Sequence, residues 1–524
     1  HQALATALNT YLVAAGLNVT GTAPSPAPSD PTWTDPQTLS NVEAARAMEQ
    51  MTWGSSPYTL PAFKAKGITA WVNEQLAMPL GRTDWFRDFV VNYGAGGYPD
   101  TEPYVRAALH AIETKITFGN DPLRVRCMQA LQSFWVVSAL SVDSYQAAEL
   151  AQWYDVLRNN TFGNYRDLIA QSITSRVMAK WLTFLRNNGV DPSSQPDENF
   201  ARELLQLFTI GKSMLNIDGS FKLDSNGKLI PTYTNAEIQG HAKVLTGWSN
   251  HNQLDADTGY DLAFRRKIAY EATGQGPNNE NATLPMAMYG EYHSKAYKQL
   301  VNGNNAAAYS GSTTDNDAMS AYGLAETEQM TNIIFNHPNV GPYVATCLLK
   351  MLIRSTPSPE YISRVARKFN DNGQGVRGDM KAVFRQIFLD PEARDMTLAA
   401  ADGYGKAIEF YFQRIKLNRF LGAANAYGID RGPDDGYTGG QSPMQAPSVF
   451  YYFSPEWVPQ GEDRVMPELQ MYDDSSVAAI TMAPWTGSPN NPLQNYFKDP
   501  SGGGINYPYS TSGQGVYWLR DYLP

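Results

Sequence analysis

Cysteine is almost absent from this chain: Cys127 and Cys347 are the two among 524 residues. With no CxxC pair and no Cys/His cluster, a disulfide framework and a structural zinc site are both excluded. Each thiol sits in an apolar, helix-like run and reads as a buried free cysteine. Histidine is nearly as scarce, with six scattered residues. No ligand spacing is present, so a metal-dependent oxidase is disfavoured, no metal ligand is assigned and the cofactor stays unknown. Long apolar runs are missing too. SFWVVSALSV (133–142) is about half of the roughly 20 residues a spanning helix needs, so no transmembrane segment is expected. Charge is thin at 18% and tilted to acid, with 51 Asp and Glu against 41 Lys and Arg. That balance, without a basic run, argues against nucleic acid or an anionic membrane as a partner. The GxGxxG, P-loop, GxSxG, HExxH and SxxK signatures are absent, which removes the easily recognised dehydrogenases, NTPases, serine hydrolases and zincins.

What is present is apolar and aromatic. The chain is 43% hydrophobic, with 30 Tyr and 11 Trp, enough to fill a sizeable core and exclude global disorder. It begins at His1 and runs into GTAPSPAPSDPTWTDP (21–36), a Pro/Ser-rich stretch with the character of an exposed linker. Loss of a leader and an extracytoplasmic location, secreted or at the cell surface, are expected. The organisation expected is an N-terminal segment and linker over 1–36, a helical domain over 37–484, and a Gly/Pro/Tyr-rich tail over 485–524 packed on the body.

Helical signals dominate. Residues 40–52 open on a Ser cap, and 60–77, 359–369 and 378–393 carry apolar positions at helical spacing. Residues 121–141, with Pro122 in the first turn and apolar residues nearly all round, read as a central buried helix. Arg124 and Arg126 at its start need carboxylate partners if buried. The one clear hairpin signal is 214–233, with turns at Asp218-Gly219 and Asn226-Gly227. The fold expected is mainly α: one large multi-helical body with a small β-hairpin and long irregular loops, notably 249–318 and 422–445.

Three segments carry candidate chemistry. In QPDENFARELLQLFTIG (195–211), Pro196, Asp197 and Glu198 suit a first helical turn. Phe200, Leu204, Leu207 and Phe208 form an apolar stripe, with Glu198 and Glu203 at its borders and Arg202 farther out. Border carboxylates aimed into a cleft would supply general acid and base, with Arg202 orienting substrate. The bland alternative is a capped helix with a Glu198–Arg202 pair. In YTNAEIQGHAKVLTGWS (233–249), Asn235 is the expected cap, His241 a packed residue, and Trp248 either a sugar-stacking platform or a core plug. In MAMYGEYHSKAYKQL (286–300), Glu291, His293, Lys295 and Lys298 gather as a proton-transfer kit or a solvated loop. His337, before the helix opened by Gly341-Pro342, reads as an Asx-type or capping residue.

These stretches, with RVRCMQALQSFWVVS, WYDVLRNNTFGNYRDLI, the 336–394 region and SPMQAPSVFYYFSPEW, resemble the domain-of-unknown-function 1800 family of exported bacterial proteins, in order and from about residue 40 to 480. The resemblance implies a mainly helical secreted protein, often encoded beside an exported sulfatase-like protein. The family pattern covers Asp197, Glu198, Asn199, Arg202 and Glu203, His293 and Lys298, and Asn336, His337 and Pro338. Tyr297 stands where the pattern usually has an acid. Two functions are carried forward. One is a carboxylate-dependent hydrolase or lyase on an extracellular polysaccharide, with Glu203, Glu198 and His293 catalytic and Arg202, Lys298, Trp248 and Asn199 on the substrate. The other is a non-catalytic secreted protein that binds an extracellular polymer or a co-exported protein, or builds a surface assembly.

Overall fold

A computed structural model describes residues 33–90, 108–139, 147–190, 195–250, 284–397 and 441–472, less a few positions inside these ranges, with Gly405, Lys406, Glu409 and Lys416 besides. The segment 1–32, residues 251–283 of the 249–318 excursion, residues 422–440 of the 422–445 loop, and the tail 485–524 lie outside the described residues.

Helix α1 (Asn41–Met51) is nucleated as its sequence predicts: Ser40 and Glu43 form a reciprocal capping box. The pattern over 60–77 breaks into α2 (Leu60–Lys66) and α3 (Ile68–Ala77). Gly67, at φ +83°, closes one and opens the other. Helix α4 (Pro122–Gln132) has every residue after Pro122 buried and packs against α1, α3 and, farther along the chain, α5 (Ala147–Asn160). It is shorter than the 121–141 expected. Past Ser133, whose hydroxyl caps Ala130 O at 2.7 Å, the apolar run continues as irregular buried chain. Periodicity cannot separate a buried helix from buried coil when every position is apolar. The two arginines are buried as expected. Asp121 receives Lys115 (2.9 Å) and Arg158 (3.1 Å), with Arg124 at 3.7 Å. Arg124 also caps Met78 O at 2.7 Å, and Arg126 lies over Trp53 within the field of Glu409.

Helices α6 (Tyr165–Thr174) and α7 (Arg176–Trp181) follow, capped by Asn164 and Ser175. Helix α8 (Asn199–Glu203) runs straight into a π-helical segment, Leu204–Thr209. Helix α9 (Asn235–Val244) is capped by Thr234 rather than Asn235, again through a box, with Glu237. Then come α10 (Asn316–Phe335), α11 (Val340–Leu352), α12 (Pro359–Asn370), α13 (Met380–Phe388) and α14 (Pro391–Arg394). Helices α11, α12 and α13 pack side by side, and α11 also meets α4, so one apolar cluster runs from Leu39 to Phe453.

Strand structure is slight. The pairs β1 (Trp248–Ser249) with β2 (Ala287–Met288) and β3 (Lys298–Gln299) with β4 (Asn305–Ala306) are antiparallel. The expected 214–233 hairpin is a meander of isolated bridges, Ser213–Pro231, Leu215–Phe221 and Leu223–Leu229. Its turns fall at the DG and NG pairs. Asp224 Oδ1 accepts the N–H groups of Asn226 and Lys228 at 2.8 and 2.9 Å, as a turn residue does. Both cysteines are free. No described helix is long and apolar enough to cross a membrane.

Candidate functional site

The DENFAREL segment starts later than its sequence suggests. Pro196 and Asp197 precede the helix, and Asp197 Oδ1 accepts Asn199 N–H at 2.8 Å in an Asx-type turn. Directly after Glu203, the π-helical segment inserts extra chain per turn, which shifts the phase of everything after Leu204. Leu205 is therefore buried with Phe200, Leu204 and Phe208, while the expected stripe residue Leu207 is only half-buried.

The two glutamates, both ahead of the π segment, stand in different surroundings. Glu198 is half-exposed and pairs with Arg202 at 3.1 Å across one turn, the bland alternative of the sequence. Glu203 is 8% exposed, and its Oε2 atom is buried without a hydrogen-bond partner. Burial raises its carboxyl above the usual range, against the pull of Arg202 and Lys212. The hydroxyl of Tyr343 donates to Leu207 O at 2.8 Å, and that of Tyr233 to Gln206 Oε1 at 3.2 Å. Both side chains thus pin the π segment. Asn199, placed on substrate by the resemblance, is exposed, its amide 3.5 Å from Thr183 Oγ1.

The segment 286–300 is not a solvated loop where His293 and Lys298 stand. A single 3₁₀ turn, Gly290–Tyr292, presses on α10. A Cβ at Gly290 would stand 2.1 Å from Ser320 N. Helix α9 lies on β3 with equal closeness, since a Cβ at Gly240 would sit 1.8 Å from Gln299 O. Beneath these contacts three side chains converge on Glu326, itself 4% exposed. His293 Nε2 lies 2.9 Å from Glu326 Oε2 and Nδ1 2.9 Å from Thr246 O. A carbonyl only accepts, so Nδ1 is the nitrogen that faces Thr246 O as a donor. Lys298 Nζ reaches Glu326 Oε2 at 2.6 Å, Ser294 O at 2.7 Å and Tyr322 OH at 3.2 Å. The Tyr322 hydroxyl faces Glu326 Oε1 and Ala307 O. Burial alone would raise the Glu326 carboxyl, but the hydrogen bonds from His293, Lys298 and Tyr322 outweigh it and bring it below its usual value.

Two expectations change here. Lys298 was placed to hold an anionic group, but it is fully buried and its three donors already have acceptors, so none remains for a ligand. Trp248 lies in β1 at 2% exposure. It is the core plug, and its ring offers no open face to a sugar. The structure brings His293 and Lys298 together, and Glu198 with Arg202. It leaves Glu203 in separate surroundings, with Arg202, Lys212, Tyr233 and Tyr343 as its electrostatic neighbours. Glu326 and Tyr322 were missed in the sequence. Their spacing of four on one helix was visible, but their partner segment lies about 30 residues upstream, and no local pattern announces that pairing.

His241 is buried and neutral: Nδ1 meets Glu237 O at 2.7 Å, and burial pushes the ring down to about 4. His337 Nδ1 accepts Asn339 N–H at 3.2 Å, two residues on, which is the Asx-type role its sequence suggested. Among the described residues, no group of three His, Cys, Asp or Glu is placed to hold a metal ion.

A family model described as a protein of unknown function, DUF1800, matches residues 46–485. The chain belongs to the DUF1800 family. No curated protein and no solved structure shows significant similarity to it. The motifs built above, from DENFAREL to the SPMQAPSVFYYF stretch, all fall inside the region shared with DUF1800.

Proposed function

We propose that this DUF1800 protein is a non-catalytic, secreted binding or surface-assembly protein, in which the Glu/His/Lys constellation is scaffold. One observation carries the reading: His293, Lys298 and Tyr322 close around Glu326, and the histidine, lysine and glutamate are each at most 4% exposed. A catalytic group must reach the proton it moves, and this cluster spends its hydrogen-bonding capacity on itself. Secretion is supported by the family resemblance and by the weakly charged, Tyr-rich composition.

A second reading, a carboxylate-dependent polysaccharide hydrolase or lyase, keeps one observation in its favour. Glu203 has a buried, unpartnered oxygen and a carboxyl raised by burial, the direction in which a general acid is tuned. Incubating the purified chain with a panel of neutral and acidic polysaccharides decides between them. Reducing ends and ultraviolet-absorbing unsaturated ends are both followed, and retention is measured by affinity electrophoresis. The binding reading expects retention by a polymer, or self-association, without product. Product release that disappears in Glu203→Gln overturns it and establishes the second reading.

A further inference from the structure

A groove of about 560 Å³ opens between the outer side of α10 and the turn that joins β3 to β4, and neither Glu203 nor Glu326 lines it. Its volume falls within the rough 300–1,000 Å³ range of small-molecule sites. Asn302 and Asn304 stand on the turn. Glu328, Asn332 and Asn336 follow one another at intervals of four along α10 and its cap, so they share a face, with Gln329 beside them. Ala325 and Ile333 supply the apolar part of the wall.

The wall is fixed before any ligand arrives. Gln329 Nε2 donates to Asn305 O at 3.1 Å, which ties the helix to β4. Asn304 Nδ2 donates to Val301 O and Asn302 O at 3.0 and 3.2 Å, which closes the turn. Asn336 Nδ2 donates to Asn332 O at 2.9 Å. A carbonyl only accepts, so the nitrogen of each amide must face it and the rotation of the amide is set. The side-chain oxygens of Asn304, Gln329 and Asn336, and the whole amide of Asn302, then have no partner among the described residues.

The groove carries no unmatched charge. Glu328 is its one ionisable side chain, and Oε1 takes Arg166 Nη2 and Asn332 Nδ2, the latter at 3.2 Å. Arg166 is held in turn by Asn332 Oδ1 at 2.7 Å. Neither an anion nor an ammonium therefore finds a lone counter-charge here. Amide oxygens remain, with a spare N–H hydrogen on Gln329 and on Asn336. A group that both donates and accepts answers such a wall. Neighbouring hydroxyls on a sugar ring do both, and the ring's C–H face suits Ile333.

We propose that this groove binds the hydroxyls of a neutral polysaccharide, with Asn302, Asn304, Gln329 and Asn336 as its hydrogen-bonding wall. That assignment rests on the binding reading above, to which it adds a place and a ligand class. Affinity electrophoresis of the full chain through gels containing dextran, xyloglucan, galactomannan or polygalacturonate tests it. The parent is expected to be retarded by at least one of the three neutral polymers and not by polygalacturonate. Asn302→Gly removes an amide at φ +61°, a backbone that glycine adopts freely, and Asn336→Ala removes one from the exposed cap of α10. The double variant should bind the retarding polymer about fivefold more weakly or worse, with an unchanged melting temperature. Passage through all three neutral gels without retardation overturns the proposal, even where self-association upholds the assembly reading. Retardation by polygalacturonate as strong as by a neutral polymer also overturns it. A double variant retarded as strongly as the parent does so too, while leaving the binding reading in place on another surface. Polymer cleavage that depends on Glu203, with retardation still lost in the double variant, removes the non-catalytic reading and upholds the groove.

Discussion

Removing the carboxylate of Glu326 is the sharpest test of the scaffold argument. Glu326→Leu strands Lys298, whose ammonium is fully buried, and leaves His293 Nε2 without its partner. Breaking a buried pair from one side costs about 3–5 kcal/mol, because the remaining charge has neither water nor counter-ion. The family region spans about 440 residues, for which an unfolding entropy of roughly 2.1 cal/mol/K per residue gives about 0.9 kcal/mol/K. A loss of 4 kcal/mol thus lowers the melting temperature by about 4 °C. The double variant Glu326→Leu with Lys298→Met replaces the pair with apolar side chains and should recover at least half of that loss, since such replacements are often neutral. Differential scanning calorimetry on the parent, both singles and the double completes the cycle. The pH dependence has a definite sign. The folded Glu326 carboxyl lies below its unfolded value, so its contribution is fully present above the unfolded range and fades as pH falls through the lowered value. The gap between parent and Glu326→Leu therefore narrows below about pH 4. A single variant that melts within 1 °C of the parent at pH 7, or a double no better than the sum of the singles, refutes the buried-network account.

Three further outcomes follow from the same geometry. Burial holds the His241 ring down at about 4, so the unfolded chain takes up a proton first as pH falls; its stabilising contribution, complete above about pH 6.5, drops by about 3 kcal/mol toward pH 4. Urea denaturation across that window should show His241→Gln with a shallower acid loss than the parent, and parallel curves would contradict it. Gly240→Ala should cost several kcal/mol, or prevent folding, because the new methyl meets Gln299 O at 1.8 Å against backbone that cannot yield; a melting temperature within 1 °C of the parent would show that α9 does not rest on β3. Burial raises the Glu203 carboxyl in the folded state, so its contribution is complete below the unfolded value and is lost as pH rises through the raised one. Glu203→Gln should accordingly melt no lower than the parent at pH 7 and gain on it between pH 4 and pH 7, whereas a large loss at pH 7 would make the ionised carboxylate a structural partner.

Local chemistry was legible wherever neighbours in sequence are neighbours in space. Ser40 with Glu43, the DG and NG turns, the Glu198–Arg202 pair and His337 over Asn339 all span four residues or fewer, and each was readable from its letters. The break at Gly67 and the early end of α4 were harder. Apolar residues at 133–139 satisfy a buried helix and a buried coil alike. The π segment defeated the 100° reckoning for Leu205 and Leu207, because extra chain per turn carries the side chains after Leu204 to a different face.

Composition, capping residues and apolar spacing by themselves determined a mainly helical body and several of its helix starts, since these depend on contacts within a turn or two of chain; the family was legible through the resemblance of whole motifs. Tertiary structure alone decided which polar groups meet. His293 waits for Glu326 from a helix that begins more than twenty residues later. Whether a carboxylate serves solvent, a ligand or a buried lysine depends on what folds over it, and spacing along the chain does not carry that information.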